Sequence, residues 1–205
     1  MIRLYRAPFS TNVERVALAL AHKGLAVESV VIDYSDRSEV ERISGQGLVP
    51  VIGDGDRVVA DSTRILRYLD ERYPDPPLFP ADPARRAELD VFLEWFDEVW
   101  KGPPNEIEAE LSSPLPDRER IGALAGQMAG WLDVFERMLS GREYLLGEFS
   151  AADCAAFPFL KYARFREPAD DEPFHRVLDE FQELGDDHPR LAAWIEAVDQ
   201  RPRAH

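Results

Sequence analysis

Cysteine is almost missing from this chain: Cys154 is the one residue of its type in 205. A single thiol excludes an internal disulfide framework and any paired-cysteine redox or zinc motif. Long apolar runs are missing too. No stretch nears the ~20 apolar residues of a helical membrane span, and the chain opens on the strand-like run Ile2-Arg3-Leu4-Tyr5 with no apolar leader core. Histidine is sparse, and His22, His175, His188 and His205 lack metal-ligand spacing. Positive charge is the minority: 24 Lys and Arg against 39 Asp and Glu leave a formal net charge of −15, which opposes phosphate backbones and anionic membranes. These absences predict a soluble cytoplasmic protein with no metal, no nucleic-acid partner and no membrane partner.

Hydrophobic residues make up 45% of the chain, enough for one large core or two small ones. Ile2 to Arg6 reads as a strand. In the segment that follows, Val13, Val16, Ala17 and Leu20 fall at helical spacing, with Gly24 as the stop and a start within a residue of Ser10. Val27 to Ile32 is β-branched and gives a second strand, parallel to the first across a βαβ crossover. The polar segment between Asp33 and Gly45 has only Val40 and Ile43 as anchors, which suits an irregular or short surface helix.

Gly47 to Tyr73 holds three signals in one run. An apolar stretch carries Pro50, which suits a strand start or edge, where a cis peptide is tolerated. There the backbone of Val49 is left to pair with an extended peptide. The chain then turns at Gly53-Asp54-Gly55, returns as Arg57 to Ala60, and enters a helix at Asp61-Ser62-Thr63, whose open N–H groups favour a carboxylate. Ile65, Leu66, Leu69 and Tyr73 are its core face.

Five prolines between Pro74 and Pro83 mark the domain boundary, and everything beyond reads as helix. The predicted domains are 1–77, a linker at 78–83, and 84–205. Leu89, Phe92, Leu93, Phe96 and Trp100 form one apolar stripe, broken at Gly102-Pro103-Pro104; Trp95 and Trp100 are candidates to line an apolar pocket. Ser150 and Asp153 have the spacing of reciprocal caps, Cys154 sits just inside that helix, and Pro158 kinks or shortens it. Arg164 to Phe174 reads as a charged loop, and a last helix ends before Pro202.

The order of Val-Pro turn, hairpin and acid-serine pair resembles the thioredoxin-like half of cytosolic glutathione transferases. The loop from Ser10 to Val16 resembles the active-site segment of that family's serine and cysteine branches, with some omega, zeta and tau features. Gly147 to Asp153 resembles its helix-capping motif, a folding element. The resemblance implies an α/β thioredoxin-like N-terminal domain followed by an all-α bundle, a detoxifying transferase, and glutathione as co-substrate. Ser10 would donate a hydrogen bond to the glutathione thiolate, Val49 and Pro50 would meet its peptide, and Asp61 with Ser62 would hold the γ-glutamyl end. Leu48 stands where relatives place a basic or amide residue, so Arg37, with Arg42 behind it, is the candidate for the glycine carboxylate. The implied partners are a small, apolar electrophile and a second copy of the chain. The alternatives are a glutathione-dependent isomerase, dehalogenase or peroxidase, or a non-catalytic binding protein of the same fold.

Overall fold

The structure, a computed structural model, describes residues 1–33 and 35–204; Tyr34 and His205 lie outside the described residues. The chain divides into two units, Met1–Arg86 together with the tail that starts at Arg201, and Ala87–Gln200.

The first unit is a four-stranded sheet in the order β2-β1-β3-β4. Strand β1 (Ile2–Arg6) runs parallel to β2 (Val27–Val31), with α1 (Thr11–His22) between them in sequence. The Gly55 turn, at φ 61°, joins the antiparallel pair β3 (Val51–Asp54) and β4 (Arg57–Ala60). Helix α2 (Ser38–Ser44) is one short piece, anchored by fully buried Val40 in a cluster with Tyr5, Ile32 and Val51. Helix α3 (Ser62–Arg72) buries Ile65, Leu66 and Leu69, as the apolar spacing requires. Tyr73, expected in that core, instead follows the helix, and its hydroxyl donates to Asp54 Oδ2 at 2.7 Å. A phenol with one polar end is better satisfied at the rim than in the core.

Helix α1 is buried on nearly every side and ends at Gly24, φ 63°. Beside that end the fully buried ammonium of Lys23 donates to Asp70 Oδ1 at 3.1 Å and to the carbonyls of Tyr73 and Pro76. The same Asp70 oxygen accepts the Leu78 N–H at 2.7 Å. One buried ion pair with its hydrogen bonds completed thus ties the ends of α1 and α3 to the proline-rich stretch. The tail returns to α1 as well. Ala204 N–H donates to Ala17 O, and the Arg203 guanidinium forks onto Glu14 Oε1 at 3.2 and 3.0 Å. Arg201 Nη2 meets His22 Nδ1 at 3.1 Å while His22 Nε2 lies 3.3 Å from Pro77 O. Burial pushes the His22 pKa down, and a neutral ring fits both neighbours, accepting at Nδ1 and donating at Nε2.

The second unit is all α: α4 (Pro83–Trp95), which begins in the last residues of the first unit, α5 (Gly102–Leu111), α6 (Arg118–Met138), α7 (Ala151–Leu160), α8 (Pro173–Phe181) and α9 (Pro189–Asp199). The break expected at Gly102-Pro103-Pro104 begins earlier. Phe96–Trp100 form a π turn, marked by Lys101 N–H donating to Phe96 O, and the two prolines then occupy the first turn of α5, where missing N–H groups cost nothing. Trp100 is 1% exposed and stacks on Phe96 at 4.5 Å between centroids, so it belongs to the bundle core. Helix α8 falls partly where the sequence suggested a charged loop. Its start is fixed by a buried cluster: Tyr162 Oη donates to Asp170 Oδ2 at 2.6 Å, and His175 Nδ1 lies 2.8 Å from the same oxygen. Burial alone would raise the Asp170 carboxyl, but the bonds from Tyr162 and His175 outweigh it and hold the pKa below the usual range.

Helix α7 is buried at all ten positions, and Pro158 lies inside it. Its capping box forms as the spacing of Ser150 and Asp153 implies. Asp153 does more than cap. Its carboxylate accepts from Ser150 N and Oγ, from Leu145 N at 3.0 Å and from Trp194 Nε1 of α9 at 2.9 Å. Complete burial pushes its pKa up, against the pull of those four donors.

Candidate active site

Ser10 is the N-cap of α1. Its backbone is extended, φ −61° and ψ 114°, and its Oγ accepts the Val13 N–H at 3.4 Å. With a lone pair engaged there, the hydroxyl hydrogen is left to donate outward. The α1 N-terminus adds the partial positive charge of its open N–H groups, so an anion beside Ser10 gains from both.

The Val49–Pro50 peptide is cis, and the ladder of β3 with β1 starts only at Val51, opposite Tyr5. Val49 therefore lies before the ladder, half-buried against the cluster around Val51. The loop ahead of it is held locally. Arg37, at the start of α2, donates from Nη1 to Gly47 O at 3.1 Å, and Gln46 Nε2 donates to Leu48 O at 2.9 Å. Arg37 is thus half-buried and bonded to Gly47, which lies two residues before Val49 in the sequence, whereas Arg42 and Leu48 are exposed.

Asp61 caps α3, accepting the Arg64 N–H at 2.9 Å, and holds φ 77° and ψ 126°. A side-chain-bearing residue at that φ is disfavoured by roughly 1–3 kcal/mol and marks a place where the surroundings dictate the backbone. Ser62, next in line, is 4% exposed.

Two residues that the sequence reading did not single out join these pieces. Asn12, in the first turn of α1, accepts at Oδ1 from Ser62 Oγ at 3.5 Å. Arg15, one turn on and fully buried, donates from Nη1 to Ser62 Oγ at 3.2 Å and to Thr63 Oγ1 at 3.4 Å. The starts of α1 and α3 are therefore neighbours, and two anion-favouring helix ends share one hydrogen-bonded seam. A signal for Arg15 was present in the sequence: Val13, Val16, Ala17, Leu18, Ala19 and Leu20 surround it on α1 and leave no solvent-facing side for a charge. No group of His, Cys, Asp and Glu able to hold a metal ion occurs among the described residues.

A mixed sheet with paired helix starts, continued by an all-α unit, defines the class of two-unit proteins with a thioredoxin-like first half. Comparison with known proteins makes the assignment narrower. Residues 4–77 match the glutathione S-transferase N-terminal domain model and 118–197 the C-terminal one. Glutathione S-transferase 3 of Zea mays is 32% identical over 98% of this chain and 90% of its own length. A stringent starvation protein A homolog of Pasteurella multocida is 30% identical over 71% of this chain and 67% of its own. A solved glutathione S-transferase from Rhodospirillum rubrum superposes with TM-score 0.76 at 27% identity, covering 98% of this chain and 89% of that one. The chain belongs to the glutathione S-transferase family, and it is an enzyme of that family.

Proposed function

We propose that this enzyme conjugates the glutathione thiolate to an electrophilic carbon of a small, apolar molecule, in the manner of a cytoplasmic detoxifying transferase. The seam between the starts of α1 and α3 carries this reading. One end offers a hydroxyl donor and helix-end charge to a sulfur anion, the other offers Ser62 and the α3 amides to a carboxylate, and glutathione bears both groups. A free thiol of pKa ~8.5 is only a few per cent ionised at neutral pH, and each unit by which the site lowers it is worth about 1.4 kcal/mol. Ser10 supplies the hydrogen bond that favours the anion. Val49 and Pro50 face the peptide, Asp61 and Ser62 take the γ-glutamyl end, and Arg37 takes the glycine carboxylate. The bound thiolate attacks the electrophilic carbon, forming a carbon–sulfur bond as the leaving group departs with its electron pair. No proton is needed from Ser10 in this step; its contribution is differential stabilisation of charge.

Calorimetric titration with glutathione tests the reading. Saturable binding is expected, weakened about tenfold in Asp61→Ala and Ser62→Ala, a loss of about 1.4 kcal/mol each. Binding that leaves both variants unaffected would move the ligand elsewhere, and its absence from the unmodified protein would sink the assignment. Saturable binding without turnover across a panel of electrophiles would overturn the conjugation reading in favour of a binding role, an outcome worth testing because the chain also resembles a stringent starvation protein A homolog. The same thiolate serves isomerase, dehalogenase or peroxidase chemistry, which that panel separates.

We further infer a homodimer. In a chain of net charge −15, a groove of about 510 Å³ on the first unit gathers Arg57, Arg64 and Arg67 around exposed Val58. Glu88, Val91 and Glu94 lie exposed along one face of α4, and Glu98 continues the stripe. A basic-apolar groove and an acidic-apolar stripe on the same chain complement each other between two copies. Light scattering should report a dimer, and the double change Arg64→Glu with Arg67→Glu should shift it to monomer. An unchanged mass would remove this face from the interface.

A further inference from the structure

We infer that Arg15 is the residue that makes the proposed site selective for a carboxylate, acting through the two hydroxyls at the start of α3. The inference rests on the reading of Ser62 given above and deepens it. Its basis is the geometry of one nitrogen. Arg15 Nη1 has two hydrogens and two hydroxyl oxygens within reach, Ser62 Oγ at 3.2 Å and Thr63 Oγ1 at 3.4 Å. A guanidinium can only donate, so each hydroxyl that meets it does so as an acceptor. The Ser62 hydrogen must then point away from Arg15. The acceptor that it has is Asn12 Oδ1, at 3.5 Å, the outer limit of a hydrogen bond. A ligand carboxylate oxygen offers a stronger acceptor, through a charge-assisted bond that is shorter and roughly twice as strong as a neutral one.

Burial enlarges the effect. Arg15 is 0% exposed and Ser62 only 4%, so the guanidinium and the seryl oxygen that it touches are shielded from bulk solvent. In such surroundings the attraction between a cation and an incoming anion is several times its value in water. The guanidinium cannot escape by losing its proton, because it stays charged at any working pH. A carboxylate beside Ser62 therefore meets a donor whose direction is preset and a permanent positive charge one hydrogen bond behind it. A neutral group of the same size meets the same donor without the charge attraction. Arg15 does not touch the ligand in this account. It is a positioning residue that gives the subsite its preference for the ionised acid of an α-amino-acid end over an amide or a hydrogen.

The test compares two ligands on three proteins by calorimetry: glutathione and its analogue lacking the γ-glutamyl α-carboxylate, on the unmodified protein, Arg15→Met and Arg15→Lys. The unmodified protein is expected to prefer glutathione by about 50-fold or more. Arg15→Met should reduce that preference to a few-fold by weakening glutathione while leaving the analogue nearly as it was. Arg15→Lys, which keeps a charge and loses the planar fork, should fall between. In turnover the variants should raise KM for glutathione and keep kcat at saturation, a split that a general loosening of the fold would not give. If Arg15→Met does not fold, Arg15→Lys decides by the same ratio. A preference retained in the variants overturns the role of Arg15 alone. A missing preference in the unmodified protein overturns the carboxylate reading of Ser62 first, and this inference with it.

Discussion

Replacing Asp153 by alanine is expected to destabilise the second unit by on the order of 4 kcal/mol, the largest single-residue effect outside the site. The reason is the number of donors that it serves. Leu145 N, Ser150 N and Trp194 Nε1 all end on this carboxylate, and each is buried. A buried donor stripped of its acceptor costs about 1–3 kcal/mol, and three are stripped at once. Alanine also removes one half of the capping box, worth ~1 kcal/mol. The readout is unusually clean because Trp95, Trp100, Trp131 and Trp194, all the tryptophans of the chain, lie in Ala87–Gln200. Urea unfolding followed by tryptophan emission should show a lowered midpoint with the slope unchanged. A loss below about 1 kcal/mol would mean that water or a shifted backbone satisfies the donors, and would demote Asp153 to an ordinary cap.

Ser10→Ala is expected to lower kcat/KM for conjugation by about 10²-fold, the usual worth of one donor aimed at developing or resident negative charge. Glutathione affinity should stay within about threefold, since the other contacts are untouched. The alkaline rise of the rate should also move to higher pH, because the thiol loses a group that favours its anion. Alanine removes the α1 cap too, at ~1 kcal/mol, so a fall in rate has two possible origins. Ser10→Gly separates them: glycine caps nearly as well as serine and has no hydroxyl, so its rate should fall as far as that of alanine while its stability stays near the original. A variant that keeps its rate removes Ser10 from thiol activation.

Elements whose signals are local were legible in the sequence. The start of α1 at Ser10, the hairpin around Gly55 and the cap pair Ser150 and Asp153 each depend on residues within a few positions of one another. The α/β unit and the all-α unit followed from those signals together with the family resemblance. What escaped depends on distant contacts. Arg15 and Asn12 matter because α1 lies against α3, a fact no spacing within α1 encodes, although the apolar ring around Arg15 was a warning. Asp153 read as a local cap, and its bond to Trp194 spans 41 positions. Helix α8 escaped because the charged residues around it hide a short apolar face, Val177 and Leu178, and its start is fixed by Tyr162 and Asp170 on preceding elements. Phe96–Trp100 escaped for another reason: the paired prolines drew attention to a break that the ladder makes one turn sooner.

The return of the tail to α1 changes how the chain should be thought of topologically. Because it leaves the α/β unit after Arg86 and re-enters it at Arg201, the all-α unit is an insertion, closed by two covalent crossings. A single protease cut in the proline-rich stretch would then open a ring rather than sever a string. The pieces would remain joined through Arg203 on Glu14 and Ala204 on Ala17, contacts helped by the high local concentration that a preformed pairing gives. The first 86 residues expressed alone would lack that clasp on the very helix whose first turn begins beside Ser10.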